Sequence, residues 1–118
     1  MGGIQRVAYP LVADINKTIC EAYDVLAGEE PIDDEGNYQV EGERVAYRGL
    51  SLIDRAGIVR HQVVNDMPLG RSIRECLRVI DVLQHFEENG EFCPMDWQQG
   101  EKAMTADHQG VSDYLSNN

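Results

Sequence analysis

Between Ser72 and Gly90 the chain carries the feature that most limits how it can fold: a single apolar stripe with a start signal and a stop signal. Ile73, Cys76, Leu77, Ile80 and Leu83 recur at three- and four-residue spacing, with Val79 and Phe86 on the flank. That period belongs to one face of an α-helix. Ser72-Ile73-Arg74-Glu75 has the form of a capping box, in which the Ser72 hydroxyl accepts from the Glu75 N–H and the Glu75 carboxylate reaches back. Asn89-Gly90 ends the pattern, because glycine takes the left-handed cap conformation without steric cost. The expected helix therefore runs to about Glu88. A one-faced helix needs a second layer to cover it.

The rest of the chain offers that layer. Val45 to Ile53 and Ile58 to Asn65 read as strands joined by the turn Asp54-Arg55-Ala56-Gly57, which makes a β-hairpin. Val7 to Val12 reads as a short apolar strand, and Pro10 favours an edge or strand-end position. Asp14 is a suitable cap for a helix running to about Leu26. Ile15, Ile19, Ala22, Tyr23 and Leu26 would then share a face. Residues 28–44 form an acidic loop with three glycines. Beyond Gly90 the chain is polar and irregular, with a short helix expected at Val111 to Leu115. The order strand, helix, hairpin, helix, arm gives an α/β class.

Charge narrows the partners. The formal net charge is −11, and it is uneven. Residues 28–44 carry seven acids and one arginine, and residues 85–118 seven acids and one lysine. Between them, residues 45–84 hold six arginines against four acids. Such a surface repels nucleic acid and anionic lipid, so neither is an expected partner. No apolar run approaches the roughly 20 residues that span a bilayer. Met1 to Arg6 lacks an apolar h-region, so no signal peptide is expected, and Arg6 removes the myristoylation pattern.

Three cysteines, Cys20, Cys76 and Cys93, fit neither a zinc pattern nor a secreted disulfide framework. They point to a reducing compartment, and a cytoplasmic location is expected. His61, His85 and His108 are too scattered to suggest a metal site, and no cofactor is expected. Cys76 lies in the long helix's stripe, where a thiol behaves as a small core hydrophobe. Cys20 sits on the flank of the first helix and reads as incidental.

Cys93 differs, because Gly90-Glu91-Phe92-Cys93-Pro94 follows the helix stop. Pro94 prevents helix there, and a thiol on an arm can reach another sulfur in line, as exchange requires. Its acidic neighbours Glu91 and Asp96 suit a thiol that waits better than one that attacks first. An incidental cysteine on a loop is the other reading. Arg48 is the second anomaly, since alternation places Ala46, Arg48, Leu50 and Leu52 on one strand face. A guanidinium there either snorkels out at a rim or faces an anion supplied from elsewhere. Arg71, just before the capped helix, is a similar and weaker candidate.

Taken together these segments resemble the typical two-cysteine peroxiredoxins, including the peroxidase subunit of bacterial alkyl hydroperoxide reductase. The resemblance is carried by Tyr9-Pro10-Leu11-Val12-Ala13-Asp14, by Val45-Ala46-Tyr47-Arg48-Gly49-Leu50 with Leu52-Ile53-Asp54, and by Val64-Asn65-Asp66-Met67-Pro68-Leu69-Gly70-Arg71-Ser72. It continues through Gly90-Glu91-Phe92-Cys93-Pro94 to Trp97 and Gly100. It runs nearly end to end, with the acidic segment 28–44 looking like an insertion.

The resemblance implies a partial thioredoxin-like fold. Residues 1–88 would belong to the peroxiredoxin domain, and 89–118 would be its C-terminal arm. It implies a thiol peroxidase acting on hydrogen peroxide and alkyl hydroperoxides. A peroxidatic cysteine becomes a sulfenic acid, a resolving cysteine condenses with it, and thioredoxin or a flavoprotein reductase reduces the disulfide. By position Cys93 resembles the resolving cysteine, Arg48 the arginine that clamps thiolate and peroxide, and Arg71 the second arginine of that network. The implied assembly is a homodimer or larger ring of peroxiredoxin subunits.

The family's nucleophile lies in Pro-x-x-x-Thr-x-x-Cys, and none of the three cysteines here has those residues before it. The expectation is a C-terminal half without the peroxidatic cysteine or the N-terminal half of the fold, inactive alone. The alternative is a non-catalytic half that only binds or assembles with a full peroxiredoxin subunit. Gly2-Gly3-Ile4-Gln5 and Tyr114-Leu115 depart from the Gly-Gly-Leu-Gly and Tyr-Phe of peroxide-sensitive members, which implies resistance to overoxidation.

Overall fold

A computed structural model describes residues 6–28, 33–37 and 44–117. Gly2 to Gln5 and most of the acidic segment 28–44 lie outside the described residues. The elements are α1 (Thr18–Ala22), β1 (Arg48–Ile53), β2 (Val59–Asn65), α2 (Ile73–Asn89) and α3 (His108–Ser116). They make a small α/β architecture whose two strands pair with each other. The chain divides into two compact units, one holding Met1–Gly49 and Val64–Leu69, the other Leu50–Val63 and Gly70–Asn118.

In the first unit the structure departs from the sequence reading twice. Val7 to Val12 is not a strand: no partner ladder pairs with it among the described residues, and Tyr9, Leu11 and Val12 are exposed. The helix expected from Asp14 to Leu26 shrinks to five residues. The Asp14 carboxylate does accept from the N–H groups of Ile19 (3.1 Å) and Cys20 (2.8 Å). However, Lys17 takes the left-handed conformation at the N-cap, and Asp24 does so just past the end (φ 64° and 55°).

Those two residues close the helix on both sides, and Leu26 leaves the helical face to bridge Ala46. Tyr47 donates to the Val25 carbonyl at 2.7 Å, and Ala27 donates to that of Val45 at 2.8 Å. This close pairing explains Gly49, where an added Cβ would sit 3.0 Å from a Val25 methyl. The expected strand from Val45 accordingly begins at Arg48, with its first residues used in the bridge.

The second unit follows the sequence more closely. The hairpin turn is built by Asp54, whose carboxylate accepts from Ala56 and Ile58, each at 2.9 Å. Gly57 closes the turn at φ 82°, a conformation costly for any side chain. Helix α2 starts where expected: Ser72 Oγ accepts from the Glu75 N–H at 3.1 Å. It stops at Gly90, which is left-handed at φ 69° and donates to the Phe86 carbonyl at 2.8 Å. The reciprocal half of the capping box is diverted, because the Glu75 carboxylate pairs with Arg78 instead.

The arm after Gly90 is more ordered than its composition suggested. Phe92 and Met104 form an antiparallel bridge, with N–H to O distances of 2.7 and 3.0 Å. Phe92 also stacks on Phe86 of α2, with ring centroids 5.5 Å apart. Trp97 is the one fully buried side chain among the described residues, 1% exposed, and its indole donates to the Glu101 carbonyl at 3.0 Å. Helix α3 is longer than the expected Val111 to Leu115, because Asp107 caps it by accepting from Gly110 at 2.7 Å.

Candidate functional site

Cys93 lies on the arm segment that the Phe92 bridge and the Trp97 anchor hold from either side. Its thiol is partly buried and lines an open cleft of about 240 Å³. Leu52 of β1, Leu83 and Phe86 of α2, and Phe92 supply apolar walls, and Arg60 of β2 closes one side. Arg60 is itself held over the Phe86 ring at 5.9 Å and paired with Asp54 at 3.2 Å. Burial pushes the Cys93 thiol up, the Glu91 charge pushes it further, and the Arg78 guanidinium opposes both. At neutral pH the sulfur is therefore held protonated, a poor first nucleophile.

Glu91 is fixed by His85, whose Nε2 lies 2.9 Å from Glu91 Oε2. His85 also lies against the Trp97 ring, centroid to centroid 4.9 Å. Arg78, which the sequence reading passed over, joins this group. Its guanidinium holds Glu75 through two contacts of 2.8 Å and donates to the Trp97 carbonyl at 3.2 Å. The spacing of Glu75 and Arg78, three residues apart on one helix, was the available signal.

Arg48 is partly buried at the start of β1. It donates to the Ala46 carbonyl at 2.7 Å and approaches Met67 Sδ at 3.6 Å. No carboxylate pairs with it among the described residues, and its Nε is buried without a hydrogen-bond partner. Arg71 is exposed just before the α2 cap, and no hydrogen bond or ion pair links it to Cys93 among the described residues.

The other two thiols are of a different kind. Cys20 lies beside the Asp14 carboxylate, which pushes the thiol up, while the Cys20 N–H holds Asp14 below the usual carboxylate range. Cys76 sits partly buried on α2. No cluster of histidine, cysteine or carboxylate able to hold a metal occurs among the described residues. No helix among them is long and apolar enough to cross a membrane.

Residues 83–117, the end of α2 with the arm and α3, match the model of the C-terminal domain of 1-Cys peroxiredoxin. Over 117 residues the chain is 49% identical to the alkyl hydroperoxide reductase C of Helicobacter pylori, covering 99% of this chain and 52% of that protein. It is 39% identical to the thioredoxin peroxidase of Trypanosoma brucei rhodesiense over 115 residues, 98% of this chain and 51% of that one. The reduced 2-Cys peroxiredoxin of Plasmodium vivax superposes with a TM-score of 0.73 at 40% identity, covering 89% of this chain and 47% of that one.

The chain belongs to the peroxiredoxin family. It spans about half the length of the curated relatives it matches, and its structural neighbours have the thioredoxin-like fold expected from the sequence.

Proposed function

We propose that this chain contributes the resolving thiol and the arginine clamp to a thioredoxin-dependent thiol peroxidase that reduces hydrogen peroxide and alkyl hydroperoxides. The observation that carries the proposal is the placement of Cys93: partly buried, just past the end of α2, on an arm segment that lines an open cleft. The peroxidatic cysteine is none of Cys20, Cys76 and Cys93; it acts from another part of the assembly. It takes one peroxide oxygen and becomes a sulfenic acid, releasing water or an alcohol. The Cys93 sulfur then attacks the sulfenic sulfur; the S–S bond forms, the S–O bond breaks, and the hydroxyl leaves with the Cys93 proton as water. A dithiol reductant of the thioredoxin type, or a flavoprotein, returns both thiols.

Arg48 serves the first step. Its unanswered buried donor fits a thiolate or a peroxide oxygen arriving from outside the described residues. Arg71, exposed before α2, is the second arginine of the same network. The protein works in a cytoplasmic, reducing setting as a dimer or larger ring. Assembly would cover the exposed side chains of Ile15 (84%) and Leu11 (64%). The same surface supports a second reading, in which the chain binds a full peroxiredoxin subunit without taking part in turnover.

The test is NADPH loss with hydrogen peroxide, thioredoxin and thioredoxin reductase. The chain alone gives no turnover above background. Adding a full-length peroxiredoxin subunit whose resolving cysteine has been replaced restores turnover through Cys93, and Cys93→Ser abolishes that rescue. Binding of that subunit without rescue selects the second reading. Turnover by the chain alone would remove the assignment of roles to its cysteines.

A further inference from the structure

Arg78 occupies an unusual position on α2. Its Nε and one amino group hold the two oxygens of Glu75, a bidentate arrangement that fixes the plane of the guanidinium. The remaining amino group donates to the carbonyl of Trp97, four residues beyond Cys93 on the arm. Among the described residues, the charged groups that act on Cys93 or line its cleft are Glu91 on the arm, held by His85; Arg78 on α2; and Arg60 on β2, already engaged by Asp54. Asp96 on the arm also bears on Arg78. In a chain of net charge −11, Arg78 is a fixed cation whose field reaches Cys93 and opposes that of Glu91.

We propose that Arg78 is a positioning residue for Cys93: it ties the arm to α2 through the Trp97 carbonyl and presents its charge to the sulfur, with Glu75 holding it in place. The inference deepens the reading of Cys93 as the resolving thiol and rests on it for its place in the reaction. When Cys93 attacks a sulfenic sulfur it must give up its proton, and Arg78 favours the anionic sulfur that does so. Glu91 has the opposite effect and keeps the thiol quiet beforehand. Resolution is then governed by a pair of opposed charges, one on the helix and one on the arm.

The test is the pH dependence of Cys93 alkylation by iodoacetamide, read by peptide mass spectrometry on the full 118-residue chain. Arg78→Gln is expected to move the midpoint to higher pH and to slow alkylation at pH 8 about threefold, since one unit of pKa is tenfold in ionisation. Arg78→Lys, which keeps the charge, is expected to stay near the parent profile, and Glu91→Gln to move it to lower pH. Arg78→Met keeps the aliphatic stem and is expected to match Arg78→Gln, so a folding defect in one variant leaves the other informative.

A merely structural role predicts the opposite sign. Freeing the arm would expose Cys93, relieve its burial and lower the midpoint, and lysine would not rescue it. A lowered or unmoved midpoint in both neutral variants overturns the proposal. Failure of Cys93 to rescue a subunit without its own resolving cysteine removes the resolving role alone, because the alkylation profiles do not depend on that role.

Discussion

The Arg78 guanidinium donates to the main-chain carbonyl of Trp97 across nineteen residues of sequence, at 3.2 Å. This contact, with the buried indole beside it, fixes the arm that bears Cys93 on the helix from which it departs. Four expectations follow from the surroundings of this arm and from the caps that shape its unit.

Trp97→Ala removes the one fully buried side chain among the described residues. Deleting a buried aromatic costs about 3 kcal/mol or more. Urea unfolding followed by far-UV circular dichroism should show the midpoint falling accordingly, and proteolysis should begin between Gly90 and Asp107. An unchanged midpoint would mean that the arm contributes nothing to stability.

Gly110→Ala is expected to disturb the start of α3. The added Cβ would lie 2.7 Å from the Thr105 carbonyl oxygen and would also strike the Thr105 hydroxyl. A backbone oxygen cannot rotate away, so the helix start must shift, at a cost of about 1–3 kcal/mol typical of overpacking. Asp107→Ala removes the cap of the same helix and costs about 1 kcal/mol. Amide exchange across His108 to Ser116 should rise in both variants.

Acid should loosen the hairpin turn. The Ile58 N–H, first among its partners, holds the Asp54 carboxyl below its ordinary value of 3.8. A group depressed in the folded state contributes stability that is full above its unfolded pKa and is lost as pH falls through the folded one. Turn protection in the parent should therefore be constant above about pH 5 and decline below 3.8. Asp54→Asn should weaken the turn and flatten this acid dependence, as read by hydrogen exchange at Ala56 and Ile58.

Cys93 should alkylate slowly at pH 7 and accelerate only towards and above its ordinary thiol value of 9.0, because burial and Glu91 both raise it. Cys20 should behave similarly for another reason, the Asp14 carboxylate at its side. Asp14→Asn is expected to speed Cys20 alkylation and leave Cys93 unchanged. Equal acceleration at both thiols would point to general loosening of the chain.

The parts of the fold legible in the sequence were those fixed by local chemistry. Ser72 and Gly90 announce α2, and Asp54 with Gly57 announces the hairpin turn, because each satisfies backbone groups within a few residues. The helix expected from Asp14 to Leu26 falls short for the converse reason. Ile15, Ile19, Tyr23 and Leu26 have helical spacing, but Leu26 finds its partner in Ala46, twenty residues on, and no local rule foresees that pairing. At the site, Cys93 was conspicuous because proline and glycine flank it on an arm. Arg78 was not, because an arginine on a helix surface looks ordinary until the Trp97 carbonyl arrives beside it.

The burial of Trp97 has an experimental consequence. It is the only tryptophan in the sequence, so the indole emission of this chain originates at the joint between arm and helix. Were the arm to detach, that emission would pass from an enclosed ring beside His85 to one in water. The molecule thus carries its own optical gauge of arm release. Stopped-flow fluorescence could time that release on unlabelled protein, against the disulfide bond that Cys93 is proposed to form.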